Sequence, residues 1–75
     1  MPRFFFSQVC PEQMITDSVG EELADRREAT GRAREIAMEL VASQLERGQG
    51  PSGWVEVEDE KHRPLFMLPL RSVAS

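Results

Sequence analysis

The stretch DRREATGRAREIAMELVASQLERG, residues 25–48, decides the fold. Asp25 is followed three positions later by Glu28. That spacing makes an acidic capping box: Asp25 can accept from an orphan N–H of the first turn, and Glu28 can reach back over it. Gly48 suits the position just past a helix end. Between these signals Ala29, Ala33, Ile36, Ala37, Leu40 and Val41 recur at helical spacing, and Met38 and Leu45 are expected to widen the stripe at its edge. A helix over about 26–47 is therefore predicted. The alanines at 29, 33 and 37 allow close approach to whatever lies beneath. Gly31 is out of place by propensity, by about 1 kcal/mol relative to alanine, and projects away from the stripe. The remaining helix surface is Arg and Glu.

The flanks on either side of this helix read as strands. Arg3 to Val9 has high β propensity, with Phe4 and Phe6 on one face and Phe5, Ser7 and Val9 on the other. Pro11 and Glu12 suggest a turn, and Gln13 to Asp17 reads as a returning strand. Ser18 to Glu22 reads as a loop. Beyond the helix, QGPSG (residues 49–53) is a loop by composition. Trp54 to Glu58 alternates, with Val55 and Val57 on one side and Trp54, Glu56 and Glu58 on the other. Asp59 to Arg63 is expected to turn. Leu65 to Leu70 reads as a last strand, bulged or at an edge because Pro69 has no N–H. Ser72 to Ser75 is expected to be a frayed tail. The fold class that follows is α+β. It is a β-β-α-β-β two-layer sandwich, a four-stranded antiparallel sheet with one long helix on one face, forming one domain over residues 1–75.

The totals narrow the function. Seventy-five residues form one domain with a small core, so stability is modest and partners matter. The net charge of -4 repels phosphate backbones, which argues against nucleic-acid binding. One cysteine, Cys10, can form neither an internal disulfide nor a Cys-rich zinc site, and it suits a reducing compartment, the cytoplasm. The opening MPRFFF has only three consecutive apolar side chains before Ser7 and Gln8, whereas an export signal needs a run of roughly 7–15. These residues are expected to belong to the folded domain, with no membrane association.

Several segments resemble a family of small bacterial proteins classed only as a domain of unknown function. The resemblance rests on Pro2, Arg3, Phe4, Phe5 and Phe6, then on Asp17, Gly20, Glu22 and Leu23. It continues through Ala29, Ala33 and Ala37, then Val55, Glu56, Val57, Asp59 and Glu60, and ends at Arg63, Leu65 and Pro69. Gln8 departs from the family pattern, where a small apolar residue is usual. His62 stands where glycine often makes the turn, which implies a different turn type. The resemblance implies a fold and a compartment, and no activity. The layout of a small sheet and an acidic, Ala-rich helix is also similar to antitoxins of the HicB type, which bind a toxin partner.

No motif for chemistry stands out, and the chain is not read as an enzyme. His62, the only histidine, is expected to be an exposed turn residue, and Cys10 has no basic neighbour in sequence to activate it. Glu56 to Glu60 alternates like a solvated strand and does not match a calcium loop. Arg26, Arg27, Arg32 and Arg34 alternate with glutamates, as on a solvated, salt-bridged face. No catalytic, cofactor or metal residue is assigned.

The apolar residues on both sides of the sheet are more informative. One helix covers one face. Phe5, Val9, Trp54, Leu65 and Met67 would then line the other, a candidate interface for a second copy of the chain or for another protein. The expected role is a non-enzymatic interaction domain, a homodimer through the uncovered face or an edge. The alternatives are an antitoxin-like or regulatory subunit and a small-molecule binder under the 49–53 loop.

Overall fold

The computed structural model describes residues 1–74. The order is β1 (Arg3–Cys10), β2 (Gln13–Ile15), β3 (Glu21–Glu22), α1 (Arg26–Glu46), β4 (Trp54–Glu58), β5 (Pro64–Pro69) and α2 (Leu70–Ala74). The α+β class and the long helix on a sheet are as expected. The sheet is antiparallel, in the order β2-β1-β4-β5, with β3 paired to β1. Two elements depart from expectation. Glu21 and Glu22 leave the presumed loop to pair with Phe4 and Arg3 as a two-residue strand. The last strand stops at Pro69, and Leu70 opens a helix that runs through Ala74 in place of the frayed tail. The tail's last residue, Ser75, lies outside the described residues.

The caps of α1 form as the sequence predicts. Asp25 Oδ1 accepts from Glu28 N at 3.0 Å, and Glu28 Oε1 accepts from Ala24 N at 2.9 Å. At the other end Gly48 takes φ 75°. Gly48 N donates to Leu45 O at 3.0 Å and Gln49 N to Gln44 O at 2.9 Å, the paired bonds of a Schellman turn. Ala29, Ala33, Ile36, Ala37 and Val41 are buried, and Leu40 is half-buried against them. Met38 and Leu45 correct the expected stripe, since they remain 56% and 59% exposed. Their place on the core side is taken by Gln44. Its amide donates to Ser52 O at 2.8 Å and accepts from Ser52 N at 3.1 Å. A polar side chain can lie buried there because both ends of its amide are satisfied by one residue's backbone.

β1 is central because it is the most apolar strand and meets partners on both edges. Against β4 it runs from Phe5 opposite Glu58 to Val9 opposite Trp54. Phe4, Phe6, Val55, Val57 and Leu70 are buried beneath α1, with Phe66 and Leu68 half-buried beside them. The opposite edge of β1 is shared by two short strands, and Asp17 occupies the gap between them. Its Oδ2 accepts from Phe6 N at 2.9 Å; its Oδ1 accepts from Gly20 N at 2.9 Å and Val19 N at 3.1 Å. A carboxylate thus satisfies a strand N–H that would otherwise lack a partner. Gly53 passes so close to β1 that a Cβ there would lie 2.1 Å from Val9 O, at φ 106°.

Candidate functional site

Strand register defines the face that α1 leaves open. Val9 stands opposite Met14 on β2 and opposite Trp54 on β4, and Trp54 stands opposite Pro69 on β5. Directly paired residues project to the same side. Met14, Val9, Trp54 and Pro69 therefore make one apolar row across four strands. The next row is Ser7, Glu56 and Met67. Val9 and Trp54 are half-buried, while Met14 and Met67 are 67% and 52% exposed. Trp54 Nε1 donates to Glu56 Oε2 at 3.3 Å, which ties the indole to the next residue on the same face of its strand.

Three of the five expected interface residues meet here: Val9, Trp54 and Met67. Two do not. Phe5 points to this side but is only 6% exposed. The His62 ring lies over it with centroids 4.1 Å apart, and Gly20 sits so close that a Cβ would come within 3.0 Å of the Phe5 ring. Leu65 falls at the register shift near Val57 and Glu58, where alternation breaks, and it packs against the helix-side core. Met14 and Pro69 join the row unforeseen. Their signal was the register: Met14 enters through the pairing of β1 with β2, Pro69 through that of β4 with β5, and the pairing of β1 with β4 joins the two into one row.

The β5 edge of the sheet is blunted against strand addition. β5 carries proline at each end and a bulge, and Arg26 Nη2 reaches Leu65 O at 3.4 Å while its guanidinium sits 5.4 Å from the Phe66 ring centre. Prolines, bulges and charge are the usual devices that blunt an edge. On the far side of the sheet Asp17 takes the one N–H of β1 left between β2 and β3, while β2 itself is a three-residue edge strand.

The residues weighed for chemistry take structural positions. His62 adopts φ 61°, the left-handed backbone that glycine favours, so the turn keeps the conformation a glycine would give. Its Nδ1 lies 3.1 Å from Glu58 Oε1. Asp59 accepts from Lys61 N and Arg63 N, each at 2.9 Å, and pairs with the Arg63 guanidinium at 3.1 Å. The Arg63 N–H, backed by the Lys61 N–H and the Arg63 side chain, holds the Asp59 carboxyl below the usual range. Cys10 is half-buried, 3.8 Å from the Gln44 amide nitrogen. Among the described residues no three His, Cys, Asp or Glu side chains converge as a metal site, and no helix is long and apolar enough to cross a membrane.

A cleft of about 370 Å³ lies between α1 and the β2–β3 side. Phe6, Ile15 and Ile36 form its floor, and Arg32, Glu21 and Glu39 its rim. Arg32 Nε donates to both Glu21 oxygens, at 2.9 and 3.1 Å. That hydrogen bond raises the guanidinium pKa further. The pair leaves the rim neutral at this point and bridges β3 to the helix.

Residues 3–71 match the family model described as Domain of unknown function (DUF6894). The chain belongs to this family. No curated protein matches it, and no solved structure does. For this DUF6894 domain the match spans every strand, the long helix and the first two residues of α2, so the open face lies wholly within it.

Proposed function

We propose that the chain is a non-enzymatic interaction domain, working in the cytoplasm, that pairs with a second copy through the open face of its sheet. The observation that carries this reading is the apolar row Met14–Val9–Trp54–Pro69, extended by Met67. The blunted β5 edge favours face-to-face contact over an added strand there. The row also suits itself. A two-fold axis along the strands lays β1 of one copy over β4 of the other. Val9 then meets the second Trp54, and Met14 meets the second Pro69. Glu56 falls opposite a Ser7 hydroxyl and not another carboxylate. This is the self-complementarity an isologous contact requires.

Sedimentation velocity tests the proposal on the wild type and a Trp54→Glu, Met67→Glu double variant, each checked for fold by circular dichroism. The wild type should sediment as a dimer at high micromolar concentration, and the double variant as a smaller species. A wild type that stays monomeric there refutes self-pairing. Its recovery with a stoichiometric protein partner would then identify the regulatory-subunit alternative.

A further inference from the structure

Methionine often fills the irregular gaps of a core. Here it does the opposite. The chain has four, Met1, Met14, Met38 and Met67, and every one is more than half exposed. The buried apolar side chains are Phe, Ile, Val, Leu and Ala instead. Two of the four methionines stand on the open face of the sheet. Met14 is on β2 beside Val9, and Met67 is on β5 beside Glu56. Met38 is on α1, away from that face.

An exposed thioether meets oxidants directly, and one oxygen atom changes its character. The sulfur lone pair attacks one oxygen of hydrogen peroxide. An S–O bond forms as the O–O bond breaks, and the sulfur gives up two electrons. The second oxygen takes the proton of the first and leaves as water. An apolar, flexible side chain has become a polar sulfoxide. The surroundings on the open face serve that oxygen poorly. In the face-to-face pair Met14 meets the second Pro69, which has no N–H to donate. Met67 stands across from Glu56, whose carboxylate is an acceptor and already takes the Trp54 Nε1–H bond. A sulfoxide buried at either place adds an acceptor without adding a donor.

We propose that Met14 and Met67 are oxidation sites that switch off pairing of the open sheet face: peroxide converts them to sulfoxides, and the oxidised chain stays single. The switch rests on the face-to-face reading above. A two-fold contact repeats each residue, so the effect of each sulfoxide is doubled when both copies carry it. Pairing covers both thioethers, so oxidation runs through the single chain. Each chain withdrawn from a pair leaves its former mate uncovered and open to the same reaction.

The test is hydrogen peroxide on the full chain, followed by peptide mass mapping and sedimentation velocity. Met14 and Met67 should oxidise more slowly at high micromolar than at low micromolar protein, while Met38 oxidises at one rate in both. Complete oxidation should raise the dimer dissociation constant at least about tenfold with the circular dichroism spectrum unchanged. Methionine sulfoxide reductases for both epimers, supplied with a thiol reductant, should bring the constant back. A Met14→Leu, Met67→Leu chain is compared only with itself, before and after peroxide. It keeps Met1, Met38 and Cys10, and its dissociation constant should not move. A wild type that is monomeric before treatment overturns the pairing and the switch together. A wild type that pairs, and still pairs with both sulfurs oxidised, overturns the switch alone. So does a pairing wild type whose Met14 and Met67 oxidise equally fast at both concentrations, or a leucine chain that peroxide dissociates.

Discussion

Two glycines show how the same substitution takes opposite signs. Gly53 sits at φ 106° with a Cβ position 2.1 Å from Val9 O, so a side chain there must push apart two segments of backbone. Gly31 lies in a helix with open space over it. Gly53→Ala should lower unfolding stability by at least about 2 kcal/mol, through strain and steric displacement together. Gly31→Ala should raise it by about 1 kcal/mol, since alanine loses less backbone freedom on folding. Urea denaturation at low micromolar concentration measures both. Equal shifts for the two variants would mean that the close approach of Gly53 to β1 is wrong. His62 belongs to the same scale. Its left-handed backbone imitates glycine, and its ring then does what glycine cannot, which is to cover Phe5.

At the scale of elements, Asp17 joins β1 to the loop before β3. Burial alone would push its carboxyl up. The N–H groups of Phe6, Gly20 and Val19, together with the Arg3 charge, more than reverse this and hold it below the ordinary value. A carboxyl whose folded pKa lies below its unfolded value of about 3.9 adds stability at neutral pH. That stability is fully present above the unfolded value and is lost as pH falls through the folded one. The wild type should therefore lose denaturation midpoint on acidification below about pH 4. Asp17→Asn should start about 1–3 kcal/mol lower at pH 7 and show a flatter acid limb. Parallel acid limbs for the two chains would assign the loss to other carboxylates. Asp17 also marks the limit of what the sequence makes legible. The ends of α1 were readable because capping boxes and Gly48 act within a few residues. The alternation of β1 and β4 was readable because period two is local. β3 was not, since two residues carry no period and pair only because Asp17 turns the chain back. Gln44 was missed for a related reason: a polar residue in an apolar stripe reads as surface until Ser52, eight positions on, supplies both of its partners. The candidate site was legible in its residue types. Phe5 and Leu65 left it through a distant ring and a bulge, neither of which has a signature in sequence.

The whole molecule is a slab whose β5 edge is blunted and whose two broad faces each retain exposed apolar side chains. Leu70 N donates to Gly53 O at 3.0 Å, which fixes the parity of β5: Phe66 and Leu68 bond inward to β4, and the Met67 N–H points away from the sheet. Amide exchange distinguishes the possible contacts. If copies meet face to face, the Met67 amide should exchange fast even when the protein is dimeric, while the Phe66 and Leu68 amides stay protected. Protection of Met67 on association would place a strand on the edge and contradict face-to-face pairing.

The central position of β1 bears on how the chain reaches this state. Its partners on β4 lie 45 to 53 positions away, from Val9 with Trp54 to Phe5 with Glu58. No local hairpin can bring those two strands together; a loop containing all of α1 must close first. Closure of that loop gains little until the sheet is zipped, so the folding barrier should be dominated by this one long-range encounter. A helix that forms early would shorten the effective loop and speed the search. Substitutions that strengthen the caps of α1 should then accelerate folding, although they lie on neither strand.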